Sequence, residues 1–275
     1  MSGNRGRKIL FVVLVLAVSG HASAEEQQDR VADDGAQVGE QSPLSINEPM
    51  YFVVGGSGDT KARFQLSLKF RIFDDDGLVA GPLPFLRSLY FGYTQTSLWN
   101  LEEEDRPFED SSYRPGFFWE FTRNSDDVFP DYLRFGYEHE SNGRDGEAAR
   151  SINTLFVMPA WAFELWERDL VVAPKMYGYL SYDDENRDIA DYRGFADLII
   201  RYGRSSSGIL QVLYRRGLEN AESWQLDFSL PIREPVFART GSYFYLQAFK
   251  GYGESLLVYD ERRDWQVRVG LAVVR

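Results

Sequence analysis

His139 and Ser141 stand two residues apart in the stretch Gly136–Arg144, GYEHESNGR. An imidazole that can take a proton, beside a hydroxyl that can attack, is the minimum equipment for nucleophilic hydrolysis. The only other histidine, His21, lies in an N-terminal stretch with the character of a removable leader. An amide follows in SINTLFV, at Asn153. If the chain turns back around Gly146, Asn153 falls opposite His139, and Ser151 falls opposite Ser141. A cross-strand amide at that distance can hold an imidazole in one tautomer. Serine, histidine and amide then take the roles of nucleophile, base and orienter. A lone His-x-Ser also arises by chance, so the residues alone leave open a pair that merely ends a strand. The Gly-x-Ser-x-Gly elbow does not occur, which argues against an α/β-hydrolase.

The elements that must carry these groups are strands. In DYLRFGYEHES, Leu133, Phe135, Tyr137, His139 and Ser141 share one face, and Tyr132, Arg134, Gly136, Glu138 and Glu140 share the other. The same period of two runs through RFQLSLKFRIF and the segments around Trp224–Leu230 and Trp265–Val273. A helix cannot build an apolar stripe from that period. About twelve such runs, each near ten residues, are expected from the spacing of acidic and glycine-rich loops. They begin near residues 50, 63, 87, 113, 131, 151, 169, 191, 207, 222, 242 and 263. Alternation alone also fits a soluble sandwich. Aromatic residues near strand ends and a charged opposite face favour an all-β, twelve-stranded antiparallel transmembrane β-barrel with a hydrated lumen. The apolar face carrying His139 and Ser141 would then point at lipid, near the membrane boundary.

The first residues read as a signal peptide, 1–24: Arg5, Arg7 and Lys8, an apolar run from Ile9 to Val18, and Ala22-Ser-Ala24. Ten apolar residues are too few to span a bilayer as a helix. Its removal would take three positive charges and move the net charge from −12 to −15. An acidic protein of that kind does not suit nucleic acid as a partner. There are no cysteines, so neither disulfides nor thiol chemistry enter. Residues 25–48 are acidic and Gln-rich and read as a mobile periplasmic lead-in, with the barrel occupying 49–275.

Taken with their flanks, these residues resemble a known family. HESNGR followed by RSINTL, with YTQTSLW at 93–99 and GYGESLLVYD at 251–260, is similar to the outer-membrane phospholipase A family over nearly the whole mature chain. The resemblance implies a bacterial outer-membrane barrel that hydrolyses acyl esters of phospholipids, depends on calcium and is active as a homodimer. It assigns Ser141 as nucleophile, His139 as general base and Asn153 as its orienter. Gly143 would offer a backbone N–H to the oxyanion, assisted by a calcium-bound water. The carbonyl of Arg144 would be a calcium ligand. A hydroxyl ligand is expected at position 149, where this chain has Ala149, and a further ligand from a second subunit, where alignment places Asp105. Asp145 and Glu147 are alternative sources of oxygen. Gln95 would lie in the dimer interface; its face reads Leu89, Phe91, Tyr93, Gln95, Ser97, Trp99, and a lone amide facing lipid wants a partner. The alternative is a non-catalytic barrel with a structural or transport role.

Overall fold

The computed structural model describes residues 43–275, except 76, 104–107, 124–127, 233–240 and 275. The expected signal peptide and most of the lead-in therefore lie outside the described residues. Among the described residues thirteen strands are formed: β1 (Leu44–Ile46), β2 (Met50–Gly55), β3 (Lys61–Arg71), β4 (Leu89–Asn100), β5 (Phe108–Thr122), β6 (Tyr132–Ser141) and β7 (Ser151–Leu165). They continue with β8 (Arg168–Tyr182), β9 (Ala196–Gly203), β10 (Ile209–Arg216), β11 (Glu222–Pro231), β12 (Tyr243–Tyr252) and β13 (Arg262–Val274). From β2 onward consecutive strands pair antiparallel, and β2 meets β13 to close the ring. The result is a twelve-stranded barrel, with β1 lying along β3 in line with β2. Among the described residues no helix is long and apolar enough to cross a membrane; the barrel crosses with strands.

The period-two pattern decides which side faces where. Leu66, Leu68 and Phe70 of β3 are exposed on the outside, while Ser67 between them is fully buried. The inner face is closed by ion pairs between strands. Lys69 reaches Glu120 at 2.6 Å, Arg215 reaches Asp197 at 2.7 Å, and Arg134 also pairs with Glu120. A buried charge is tolerated only when paired and hydrogen-bonded, so these contacts fix the strands against one another.

The barrel engages the chain earlier than the expected boundary at residue 49. Ile46 pairs with Leu68, and the next two residues turn into the lumen. Asn47 accepts from Arg134 at 3.0 Å and donates to Thr94 at 3.3 Å, and Glu48 pairs with Arg114. An acidic, polar segment looks like a solvated lead-in from composition, but here its polar groups have basic partners inside the barrel.

Candidate active site

The β6–β7 hairpin carries the three candidate residues. Its register pairs His139 with Asn153 and Ser141 with Ser151, as the turn around Gly146 requires. Inside, Glu138 pairs with Lys175 and Glu140 with Arg193 at 3.1 Å, so His139 and Ser141 point outward by alternation. His139 Nδ1 lies 2.9 Å from Asn153 Oδ1. An amide oxygen can only accept, so Nδ1 carries the proton and Nε2 is left with its lone pair. That is the tautomer a general base needs. Ser141 Oγ accepts the Gly143 N–H at 3.1 Å rather than bonding to the ring.

Residues not expected from the sequence complete the arrangement. Tyr137, two before His139 on the same face, donates its hydroxyl to Asn153 Oδ1 at 2.5 Å. Asn153 Nδ2 donates to Ser181 Oγ on β8 at 2.8 Å. The amide is therefore held at both ends, with its oxygen towards the imidazole. Tyr137 had a signal in the sequence, its place on the His139 face. Ser181 had none, because a bulge between Asn153 and Thr154 sets its register.

The loop after Ser141 is built by Asn142, which is 4% exposed. Its Nδ2 donates to the Ala148 carbonyl at 2.8 Å, and its Oδ1 accepts from Arg150 N at 3.0 Å and Arg144 N at 3.3 Å. Gly143 beside it has φ +66°, a left-handed conformation that side chains resist. The turn aims the Gly143 N–H back at Ser141.

A cap over this mouth of the barrel braces the hairpin. Fully buried Asn186 grips Ser151, donating to its carbonyl at 3.1 Å and accepting its N–H at 3.3 Å. Ile152, Ile189, Leu256 and Tyr259 form a small apolar cluster beside it. Leu256 and Tyr259 belong to the GYGESLLVYD stretch, and Leu257 N donates to Asp110 at 2.8 Å. Tyr259 donates to Asp188. Burial, then that carboxylate, raises its pKa above the ordinary phenol value, so it stays a donor. Arg150 lies over the Tyr259 ring at 5.8 Å and donates to the carbonyls of Glu147 and Ala149, at 2.8 Å each.

Calcium prefers six to eight oxygens. Arg144 is exposed on the loop, and its side chain is drawn to the Phe108 and Glu109 carbonyls. Ala149 brings no side-chain oxygen, and its carbonyl is engaged by the Arg150 guanidinium, a fixed positive charge. Asp145 and Glu147 are exposed, while Asp105 lies outside the described residues. Among the described residues no three His, Cys, Asp or Glu side chains gather as a metal site. The described part of one chain therefore falls short of a calcium site.

Gln95 lies on the outer face of β4, but its amide is not alone. It accepts from Tyr93 at 3.2 Å and donates to Ser97 at 3.3 Å, and Ser97 contacts Ser111 at 2.8 Å. A polar stripe thus crosses β4 and β5 where a single amide was expected. Gln95 pairs with Tyr113, and Tyr113 pairs with Ser141, so the stripe sits level with the candidate nucleophile.

The network around Asn153 yields a graded expectation. Asn153→Ala removes the acceptor that fixes the tautomer but leaves nucleophile and base, so turnover should fall about 10- to 100-fold with KM little changed. Loss as complete as for a nucleophile variant, measured by single-turnover kinetics, would mean that Asn153 does more than orient His139.

The phospholipase A1 family pattern matches residues 35–274. The chain is 32% identical to phospholipase A1 of Escherichia coli K12 over 223 residues, covering 78% of this chain and 69% of that protein. A putative phospholipase A1 of Neisseria meningitidis is 27% identical over 216 residues, covering 74% of this chain and 52% of that protein. In structure the barrel is similar to outer membrane phospholipase A of E. coli (TM-score 0.71, 24% identity, 86% of this chain and 95% of that one). A further E. coli form carries an asparagine-to-alanine substitution in its active site. A dimer of the Salmonella typhi enzyme with bound calcium superposes equally well (TM-score 0.71, 24% identity, 87% and 94% covered). A non-catalytic barrel is left without support. The chain belongs to the phospholipase A1 family, and it is a phospholipase of the bacterial outer membrane built as a twelve-stranded β-barrel.

Proposed function

We propose that this chain hydrolyses acyl ester bonds of phospholipids and lysophospholipids through Ser141, His139 and Asn153. The observation that carries the reading is the 2.9 Å contact of His139 Nδ1 with Asn153 Oδ1, on the outward face that also bears Ser141. Ser141 Oγ attacks the ester carbonyl carbon while His139 Nε2 takes its proton. The carbonyl oxygen becomes an oxyanion within reach of the Gly143 N–H, which is already aimed at Oγ. The ester C–O bond breaks, and His139 returns the proton to the departing alcohol. Water then attacks the acyl-enzyme, His139 accepts its proton, and the fatty acid leaves as Ser141 regains its hydrogen. A site on the lipid-facing surface suits a substrate that arrives from the bilayer. Product analysis of the purified protein on diacyl phospholipid tests the reading: release of fatty acid and lysophospholipid supports it, and intact lipid overturns it.

Dimerisation belongs to the same reading. Gln95, Tyr113 and Ser141 lie side by side on β4, β5 and β6, so about 10 Å separates Gln95 from the nucleophile at ordinary strand spacing. A second copy packed on the Tyr93–Gln95–Ser97 stripe would wall one side of the substrate path. The Salmonella typhi relative is a dimer with bound calcium, which supports dimerisation as such. We assign calcium to the Arg144 carbonyl, with Asp105 of a second copy offsetting the hydroxyl that Ala149 lacks. When bound, the ion supplies positive charge beside the oxyanion. Asp105→Ala should raise the calcium concentration needed for activity by about 10-fold and weaken calcium-promoted dimerisation together. A calcium titration that overlays the parent's, with unchanged sedimentation, removes Asp105 from the site.

A further inference from the structure

An amide in the third position of a triad has a right and a wrong way round. A carboxylate offers the same kind of oxygen after half a turn about its last bond, whereas an amide exchanges an acceptor for a donor. Turned the wrong way, Asn153 would point Nδ2 at the imidazole. His139 Nδ1 would then have to accept, its proton would sit on Nε2, and Nε2 could take none from Ser141. The last torsion of an asparagine is broad and roughly two-fold, so the backbone does not choose between the two settings. A neighbouring side chain has to.

Two side chains besides His139 reach the amide. Ser181 Oγ lies 2.8 Å from Nδ2. An alkyl hydroxyl donates as well as it accepts, so Ser181 would serve Oδ1 equally after a turn. The pairing is irregular here too: Asn153 faces Ser181 but Thr154 faces Tyr179, which leaves Leu180 as an extra residue. Ser181 holds the amide without deciding its sense.

Tyr137 does decide. Its hydroxyl stands 2.5 Å from Asn153 Oδ1. The lone pair of a phenol oxygen is drawn into the ring, so a phenol is a better donor and a poorer acceptor than an alkyl hydroxyl. The setting sharpens that preference. Tyr137 pairs with Phe117 on one side and Leu155 on the other, and both are half exposed on the outer, apolar face. Away from water a made hydrogen bond counts for more, and an unmet polar group costs more. The phenol and the His139 Nδ1–H, at 2.9 Å, converge on one oxygen that has a lone pair for each.

We propose that Tyr137 is a positioning residue for the hydrolysis: its hydroxyl selects the sense of the Asn153 amide and so keeps the proton of His139 on Nδ1. The proposal rests on Ser141, His139 and Asn153 acting as described under the proposed function. Tyr137 itself touches no reacting atom.

Double-mutant cycles on the full-length protein, in detergent with calcium, test it. Tyr137→Phe keeps the ring and removes only the hydroxyl. It should lower kcat about 3- to 10-fold, the net worth of one hydrogen bond, with KM little changed. Added to Asn153→Ala, which has no amide to turn, it should cost about 2-fold or less. Added to Asn153→Asp, where either oxygen serves, it should again cost little. The ring nitrogens of His139, read by 15N NMR, should show Nδ1 protonated in the neutral ring of the parent and a mixture of tautomers in Tyr137→Phe. Losses in both backgrounds as large as in the parent would overturn the proposal. So would parental kcat in Tyr137→Phe, or an unchanged tautomer. Those results leave the triad standing, whereas undiminished activity of Ser141→Ala would remove the reading on which the proposal rests.

Discussion

Ser141→Ala should lower ester hydrolysis by roughly three orders of magnitude or more, because it removes the hydroxyl proposed to attack the ester. The barrel should survive. Ser141 sits at the last position of β6, and its hydroxyl makes one contact, accepting the Gly143 N–H, so its loss costs only about 1 kcal/mol. Heat-resistant migration on gels should therefore match the parent while fatty-acid release disappears. Turnover near the parental value, with migration unchanged, would remove Ser141 as nucleophile and return the hairpin to a structural role.

Asn142→Ala should have the second largest effect, although Asn142 takes no part in bond making. Its buried amide orders the loop by holding the Ala148 carbonyl and the N–H groups of Arg144 and Arg150. Without it the Gly143 N–H loses its aim, and misplacement of a catalytic group by about 1 Å costs on the order of 100-fold in rate. Stranding buried partners costs a few kcal/mol in addition, about 1–3 per group. The loss should fall on kcat rather than KM, with faster hydrogen exchange at the amides of Arg144 and Arg150. Parental kcat with those amides exchanging freely would show that loop order does not limit catalysis.

How much of this was legible in the sequence depends on the range of each interaction. The barrel and the His139–Asn153 pairing were readable because a period of two fixes faces, and a short hairpin fixes register. Ser181 was not, since its place depends on a bulge one strand further on. The role of GYGESLLVYD was hidden for the same reason: Leu256 and Tyr259 meet Ile152 and Ile189 from distant loops. Composition misled at Asn47 and Glu48, whose polar groups read as solvated until Arg134 and Arg114 are seen facing them. It misled differently at Gln95, where Tyr93 and Ser97 on the same strand already serve the amide.

The seam between β2 and β13 bears on how the protein is made. Val54 pairs with Val269, about 215 residues later, and a loop of that length costs roughly 5 kcal/mol of closure entropy to join. This pairing needs the last strand, so it cannot form before the rest of the chain is present. Until the last strand arrives, the growing sheet keeps two open edges, whose bare N–H and C=O groups are costly in lipid and invite other strands. Assembly is therefore all-or-none in its last step, and a chain halted before Arg262 would hold an intact β6–β7 hairpin in a sheet that cannot close.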